Sequence, residues 1–454
     1  MTEVRSGTQR MEILSRFARL ALPVACALAS CAVLVPRAWA QIGTYGTPGL
    51  NLDTTHAPPI DTAHPVDLRQ EMRDQAKEAL ILGDWLIFPT AFVGGIYDTN
   101  PTQAASGATA SEGLRLSLSG SAQRYGDFDK TDLYGMVDGR LYTNGAASVS
   151  DITTAKAGGI ETYSPLEDWT FRGQGDFTRQ RDIFDTLGVN HTVTSLNTTG
   201  VGIAPTTASQ VYNQLTGAGS AEKRFGNAFA DFGGSVVAQI YDQTSATASQ
   251  NNVVYTGTAR GGFWMTPDIY GFVEGSGDSR DFDTSVISSN GYRVIAGVGT
   301  GRIGLVKGEV YAGYQAEMFR SSAIGTSGSP AFGGQLDYSP LPELDIKVGA
   351  DRTIGASQLS ATTGTSTRVT DVLAVVSYAL APEWSASGRA GYIRTGYKGV
   401  NRTDNSWTVG PTLTYSVWRN FGLTLDYQHI GTTSNTALVS FSRDIVTVGA
   451  SYKY

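Results

Sequence analysis

The sequence predicts an all-β fold: a transmembrane antiparallel β-barrel of about eighteen strands, sixteen being the alternative count, preceded by a short N-terminal periplasmic helix. Three observations predict it. The last residues alternate strictly between apolar and polar side chains and end on an aromatic one. Strand after strand sets charged residues on one face against apolar residues on the other. The connections alternate between short turns and long polar loops. These patterns belong to barrels that cross a bilayer with strands, where the outer face meets lipid and the charges must point inward.

Residues 1–40 read as a secretory signal peptide. Arg5, Arg10, Arg16 and Arg19 make a basic head, Leu20 to Val35 a largely apolar run, and Ala38-Trp39-Ala40 a small-x-small cleavage site before Gln41. An acylated Cys31 after Leu28-Ala29-Ser30 is the competing processing site. Residues 41–84 hold a periplasmic linker with Pro58-Pro59 and His64-Pro65, then a helix. Asp67 caps it, Leu68, Met72, Ala76, Ala79 and Leu80 form its apolar stripe, and Gly83 ends it.

Residues 85–454 are the expected barrel. In Leu114 to Gln123, Leu114, Leu116, Leu118, Gly120 and Ala122 oppose Arg115, Ser117, Ser119, Ser121 and Gln123. In Val306 to Phe319, Val310, Ala312, Tyr314 and Met318 oppose Lys307, Glu309, Tyr311, Gln315 and Glu317. The stretches Leu344 to Asp351 and Phe421 to Ile430 repeat the pattern. Short turns fall at Lys223 to Asn227, Thr266 to Asp268, Ser339 to Pro342, Leu380 to Glu383 and Trp418 to Asn420. Between them lie longer Ser/Thr/Gly/Asn segments: Asp185 to Gln210, Asp242 to Asn252, Asp278 to Asn290, Arg320 to Ser329, Ala356 to Thr367 and Lys398 to Ser406. Trp85, Trp169, Trp264, Trp384 and Trp418 sit at turns or strand starts, as an interfacial aromatic girdle requires. In the final strand, Val446, Val448, Ala450, Tyr452 and Tyr454 oppose Thr447, Gly449, Ser451 and Lys453. Gly449, Tyr452 and Tyr454 resemble the signal that delivers outer-membrane barrels to the barrel assembly machinery, an expected partner.

Composition narrows the function. Both cysteines, Cys26 and Cys31, lie in the leader, so the 414 residues after Ala40 contain none. The leader holds five arginines and two glutamates, which leaves 29 basic and 39 acidic residues and a net charge of −10. That balance argues against a nucleic-acid partner. The chain after the leader has no apolar stretch near twenty residues, so no transmembrane helix is expected.

The opening Trp85-Leu86-Ile87-Phe88-Pro89, running to Gly95-Ile96-Tyr97-Asp98-Thr99-Asn100, resembles the entry strand of the β-barrel porin 2 family of Gram-negative outer membranes. Asp168-Trp169, Phe177-Thr178-Arg179-Gln180 and Asp182-Ile183-Phe184 add to the resemblance, which covers about residues 80 to 454. It implies a porin fold in the bacterial outer membrane and leaves the solute open. Similar barrels stand beside exopolysaccharide export systems.

No catalytic, cofactor-binding or metal-binding residues are expected, and the chain does not read as an enzyme. His56, His64, His191 and His429 show no ligand spacing, and no Gly-x-Ser-x-Gly motif is present. Asp98 and Asn100 fit turn capping better than Ca²⁺ binding. The inward candidates for lining a pore are Arg115, Arg172, Asp176, Arg260, Glu274, Arg293, Lys307, Glu309, Glu317, Asp345, Asp351 and Asp426. Opposed acidic and basic rows of this kind tune ion selectivity. The leading reading is a passive diffusion channel for small hydrophilic solutes. The alternative is a non-channel barrel accessory to exopolysaccharide secretion or surface binding. Outer-membrane lipid, lipopolysaccharide and further copies of the chain complete the expected partners.

Overall fold

The computed structural model describes residues 79–143, 151–180, 211–241, 251–283, 285–303, 305–358, 364–436 and 439–454. The strands are β1 Leu80–Leu82, β2 Trp85–Asp98, β3 Ser111–Tyr125, β4 Asp129–Tyr142, β5 Asp151–Leu166, β6 Trp169–Gln180, β7 Tyr212–Phe225, β8 Ala228–Tyr241, β9 Asn252–Trp264 and β10 Ile269–Phe282. They continue as β11 Ser289–Ile303, β12 Val306–Phe319, β13 Thr326–Leu341, β14 Leu344–Gln358, β15 Gly364–Ala381, β16 Trp384–Tyr397, β17 Thr403–Trp418, β18 Phe421–Ser434 and β19 Phe441–Lys453. Each of β2 to β19 pairs antiparallel with its sequence neighbours, and β19 pairs back onto β2 from Ile445↔Asp98 to Lys453↔Thr90. The result is a closed barrel of eighteen strands. Closure joins the first and last strands, so neither is a free edge in lipid.

Burial runs inside out relative to a water-soluble protein. Val273 is 58 % exposed while Glu274, the next residue, is 1 % exposed. Phe232, Val448, Leu425 and Val310 are exposed, whereas Arg260, Asp138, Glu222 and Gln428 are buried. Between the two water-facing ends, period-two alternation therefore sends apolar side chains outward and charges into the lumen.

Connections of two to four residues join β3–β4, β5–β6, β7–β8, β9–β10, β11–β12, β13–β14, β15–β16 and β17–β18 at one end. The opposite end carries the longer ones, including 99–110 and the segments between β6 and β7 and between β8 and β9. Segments 185–210 and 242–250, expected as long loops, lie outside the described residues. Other expected loops shorten, because β10 runs on to Phe282, β13 starts at Thr326, β14 and β15 reach Gln358 and Gly364, and β17 starts at Thr403. A strand that rises past the hydrocarbon meets water on both faces. Its apolar alternation fades there while its backbone ladder persists, so Ser, Thr and Gly alone mimic a loop.

The expected N-terminal helix falls largely on residues outside the described part, but its end is different. Leu80–Leu82 is a strand, with Leu80↔Ile87 and Leu82↔Trp85 in register, and Gly83 makes the tight turn with φ 60°. The cause is a vacancy on β2. Because β19 ends at Thr90, the start of β2 would otherwise have a free edge, and β1 fills it. Trp264 also departs from expectation. It is 6 % exposed and faces inward, 4.8 Å from the Tyr270 ring, so it takes no part in the outer girdle.

One stretch of wall lacks its ladder. β13 and β14 pair only from Gly334↔Ala350 down to Leu341↔Leu344. Above that, Thr326 to Gly333 of β13 still pair with β12, and the top of β14 pairs with β15. Pro330 sits in the unpaired half of β13 and offers no N–H, which weakens a continuous ladder there. The top of β14 is held by side chains instead. Gln315 Nε2 donates to the Arg352 carbonyl at 2.7 Å, and Arg280 Nη1 to the Ile354 carbonyl at 2.8 Å. Ala356 packs in one cluster with the inward-facing Phe282 and Phe319, joined by Ile287 from a 3-10 turn at Ser285–Ile287. The upper part of β14 is thus tucked inside β13 and narrows the mouth at the long-loop end.

Candidate functional site: the charged lumen wall

Register explains how the wall gathers charge. In an antiparallel sheet, directly paired residues share a face. The pairs Glu222↔Asp231, Asp231↔Arg260 and Arg260↔Glu274 therefore set three carboxylates and one guanidinium in a single row across β7 to β10. Arg172 of β6 lies beside it, 3.7 Å from Glu222. Arg260 reaches over to β12, donating to Glu309 Oε2 at 2.6 Å, and its guanidinium stacks 3.7 Å from the Phe272 ring centroid. Tyr270 donates to the same Glu309 oxygen at 3.2 Å.

Aromatic rings lie flat on this wall because glycines lie beneath them. A Cβ at Gly262 would meet the Phe229 ring at 2.3 Å, one at Gly297 the Phe272 ring at 2.6 Å, and one at Gly299 the Tyr270 ring at 2.3 Å. Any side chain at these positions would push the rings toward the axis.

Further pairs line the remaining wall. Arg115 pairs with Asp138 at 2.9 Å, and Arg293 donates to Asp351 at 2.9 Å, where Tyr311 also donates. Arg280 bridges Asp278 and Glu317 at 2.8 and 3.4 Å. Arg389 forks onto both oxygens of Asp426 at 2.9 and 3.0 Å. Asp371 faces Asp351 directly across the β14–β15 ladder, two carboxylates side by side. Asp176 accepts from Gln174 at 3.1 Å.

All twelve expected pore-lining residues fall on the lumen face. Arg115, Asp176, Arg260, Glu274, Glu317 and Asp351 are buried, while Lys307 and Asp345 stand more open near the short turns. Arg172, Glu222, Asp231, Arg260, Glu274 and Glu309 are drawn together, whereas Asp426 and Arg115 stand in separate pairs. The sequence reading missed Asp138, Glu222, Asp231, Asp371 and Arg389. Each sits at lumen parity in its strand, so carrying the alternation through the weaker strands finds them. Asp278 and Arg280 were hidden because that stretch read as loop.

Two further motifs acquire roles. Asp98, fully buried, accepts from Arg443 Nη2 at 2.7 Å, Tyr142 Oη at 2.6 Å and the Asn100 amide at 3.0 Å. The Asn100 amide group donates to the Ser442 carbonyl at 3.1 Å. The Tyr-Asp-x-Asn tip therefore caps its turn and also ties the first barrel strand to the last. His429 faces outward, with Nδ1 2.7 Å from Asp444 Oδ1, and Tyr427 donates to that oxygen. Among the described residues no trio of His, Asp or Glu converges on a metal-sized site.

Comparison with known proteins returns barrels. A chain of the ferric enterobactin receptor PfeA from Pseudomonas aeruginosa aligns at 6 % identity and TM-score 0.36, covering 81 % of each chain. OccK11 (OpdR) from Pseudomonas aeruginosa aligns at 14 % identity and TM-score 0.39, covering 83 % of this chain and 97 % of that one. An anion-selective porin from Comamonas acidovorans aligns at 11 % identity and TM-score 0.33, covering 82 % and 99 %. No curated protein matches the chain. The family model described as "Putative beta-barrel porin 2" matches residues 80–454, nearly the whole of the barrel and its leading strand, and the chain belongs to that family.

Proposed function

We propose that the protein is a passive diffusion channel of the bacterial outer membrane for small hydrophilic solutes, with a mild preference for cations. The supporting observation is the Glu222–Asp231–Arg260–Glu274 row with Glu309 and Arg172 beside it. A lumen built only to hold the wall would need each charge neutralised, and here carboxylates outnumber guanidinium groups. Barrels of sixteen to eighteen strands are wide enough to hold water between their walls. Solutes enter by diffusion, and the inward charges set which ions concentrate there. In this reading the partners are outer-membrane lipid, lipopolysaccharide, the assembly machinery and other copies of the chain, and no chemical step is performed.

A second reading is a non-conducting barrel accessory to polysaccharide secretion. The tucked top of β14 and the Ser285–Ile287 turn packed beside it speak for this one, since both narrow the mouth. Planar-bilayer recording on the purified barrel separates them. Stepwise conductance is the expected result. Folded, heat-modifiable protein that gives no steps would replace the channel with the accessory barrel.

A further inference from the structure

The outward surface above the lipid belt carries arginines that have no carboxylate to meet. Arg368 of β15 and Arg394 of β16 point outward and are exposed, whereas Arg352 of β14 is half-buried on the tucked upper part of its strand. The pair Thr370↔Arg394 sets Arg394 against β15, and Arg368 stands two residues further along that strand. Lumen arginines such as Arg115, Arg260, Arg280, Arg293, Arg389 and Arg443 each pair with a carboxylate. Arg368 and Arg394 have no carboxylate partner among the described residues. Arg352 instead donates to Ser329 Oγ at 3.1 Å, a buried hydroxyl on the lumen side of β13. Arg368 donates to the Gly328 carbonyl at 3.3 Å. Arg394 is exposed and makes no hydrogen bond or ion pair among the described residues.

Nothing else on this face neutralises them. In the upper halves of β13 to β17 no described outward position holds Asp or Glu; Asp371 and Asp404 face the lumen. Height decides what they meet. Arg394 lies ten residues above Trp384, which at about 3.3 Å per residue and about 40° tilt is roughly 25 Å, the height of the apolar band. Directly below it Tyr392 and Trp407 pair in register and form the upper aromatic belt. Guanidinium groups just above such a belt stand at headgroup level, where an uncompensated cluster requires anions. The planar fork of arginine suits phosphate oxygens. Beneath it Val348, Val372, Val376 and Leu413 offer acyl chains an apolar bed.

We propose that Arg368 and Arg394 form a binding site for a phosphate of an outer-leaflet phosphorylated glycolipid. The site rests on the outer-membrane location proposed above and not on conductance, so it is tested separately. The detergent-purified barrel is mixed with diphosphorylated lipid A, with dephosphorylated lipid A, or with inorganic phosphate as competitor, and retained lipid is read by native mass spectrometry. The parent should keep diphosphorylated lipid A, and R368Q/R394Q should retain it at least tenfold less. Dephosphorylated lipid A should bind the parent as weakly as the variant. R124Q, which alters an outward arginine already paired with Asp129 near the short turns, should behave as the parent. If the double variant does not fold, R394Q alone, which breaks no bond, should still lower retention severalfold. Equal retention by the folded variants overturns the site, as does indifference to removal of the phosphates. Complete displacement by millimolar inorganic phosphate overturns the lipid assignment in favour of a free-anion site.

Discussion

At the scale of single residues, Asp98 shows how a loop-tip motif becomes a closure device. Its carboxylate is buried against Arg443, Tyr142 and the Asn100 amide, so the charge of β2 is answered by the last strand. Removing one partner of a buried pair leaves the other uncompensated, at a cost of about 3–5 kcal/mol. Asp98→Asn should therefore lower the temperature at which the barrel loses its heat-modifiable mobility on gels. An unchanged transition would show that the seam is held by its backbone ladder alone. Gly449 acts at the same seam by close approach. A Cβ there would meet the Val93 carbonyl at 2.3 Å and the Phe92 ring at 2.6 Å. The glycine of the C-terminal pattern thus has a structural reason independent of any signal it carries.

At the scale of strands, facing was legible wherever alternation was unbroken, because lipid and lumen impose opposite demands on successive residues. In β12 that reading is testable. Val310 is 45 % exposed on the outer face, and Val310→Arg should destabilise by about 2–4 kcal/mol near the bilayer midplane. Lys307→Ser, at an open lumen position, should stay within about 0.5 kcal/mol. Denaturant titration of the folded barrel measures both, and equal losses would mean the facing is reversed. Strand ends were less legible, since the signal disappears where both faces are wet, as at Thr326 or Gly364. Leu80 to Leu82 misled for another reason: a short apolar run fits helix or strand, and only the vacancy left by β19 on β2 decides. The gap between β13 and β14 has one sequence trace, Pro330, while the bonds that tuck β14 inward come from Arg280 and Gln315 on strands far away in sequence.

At the scale of the whole barrel, the number of strands and the inward charges followed from pattern, but their grouping did not, because shared height depends on register around the circle. Register is what makes selectivity arguable. Across β7 to β10 it aligns Glu222, Asp231 and Glu274 with Arg260, and at β14–β15 it sets Asp351 against Asp371. Arg293 answers Asp351, which leaves Asp371 as an acidic group with no cation of its own among the described residues. Like charges directly opposed across a ladder destabilise it, and Asp371 is itself buried with no cation beside it among the described residues. Asp371→Asn should therefore relieve repulsion, with stability unchanged or raised. That outcome separates Asp371 from Asp98, whose loss costs stability. Selectivity is tested in the Arg260 row: reversal potentials across a salt gradient should favour cations in the parent at low ionic strength and less so in Asp231→Asn. The preference should fade in both as the Debye length shrinks toward about 3 Å near 1 M salt. Anion preference in the parent would show that Arg260, Arg172 and Arg293 govern the narrowest point. An identical reversal potential in Asp231→Asn would place the controlling charge elsewhere, with Glu222 and Glu274 of the same row next to be neutralised.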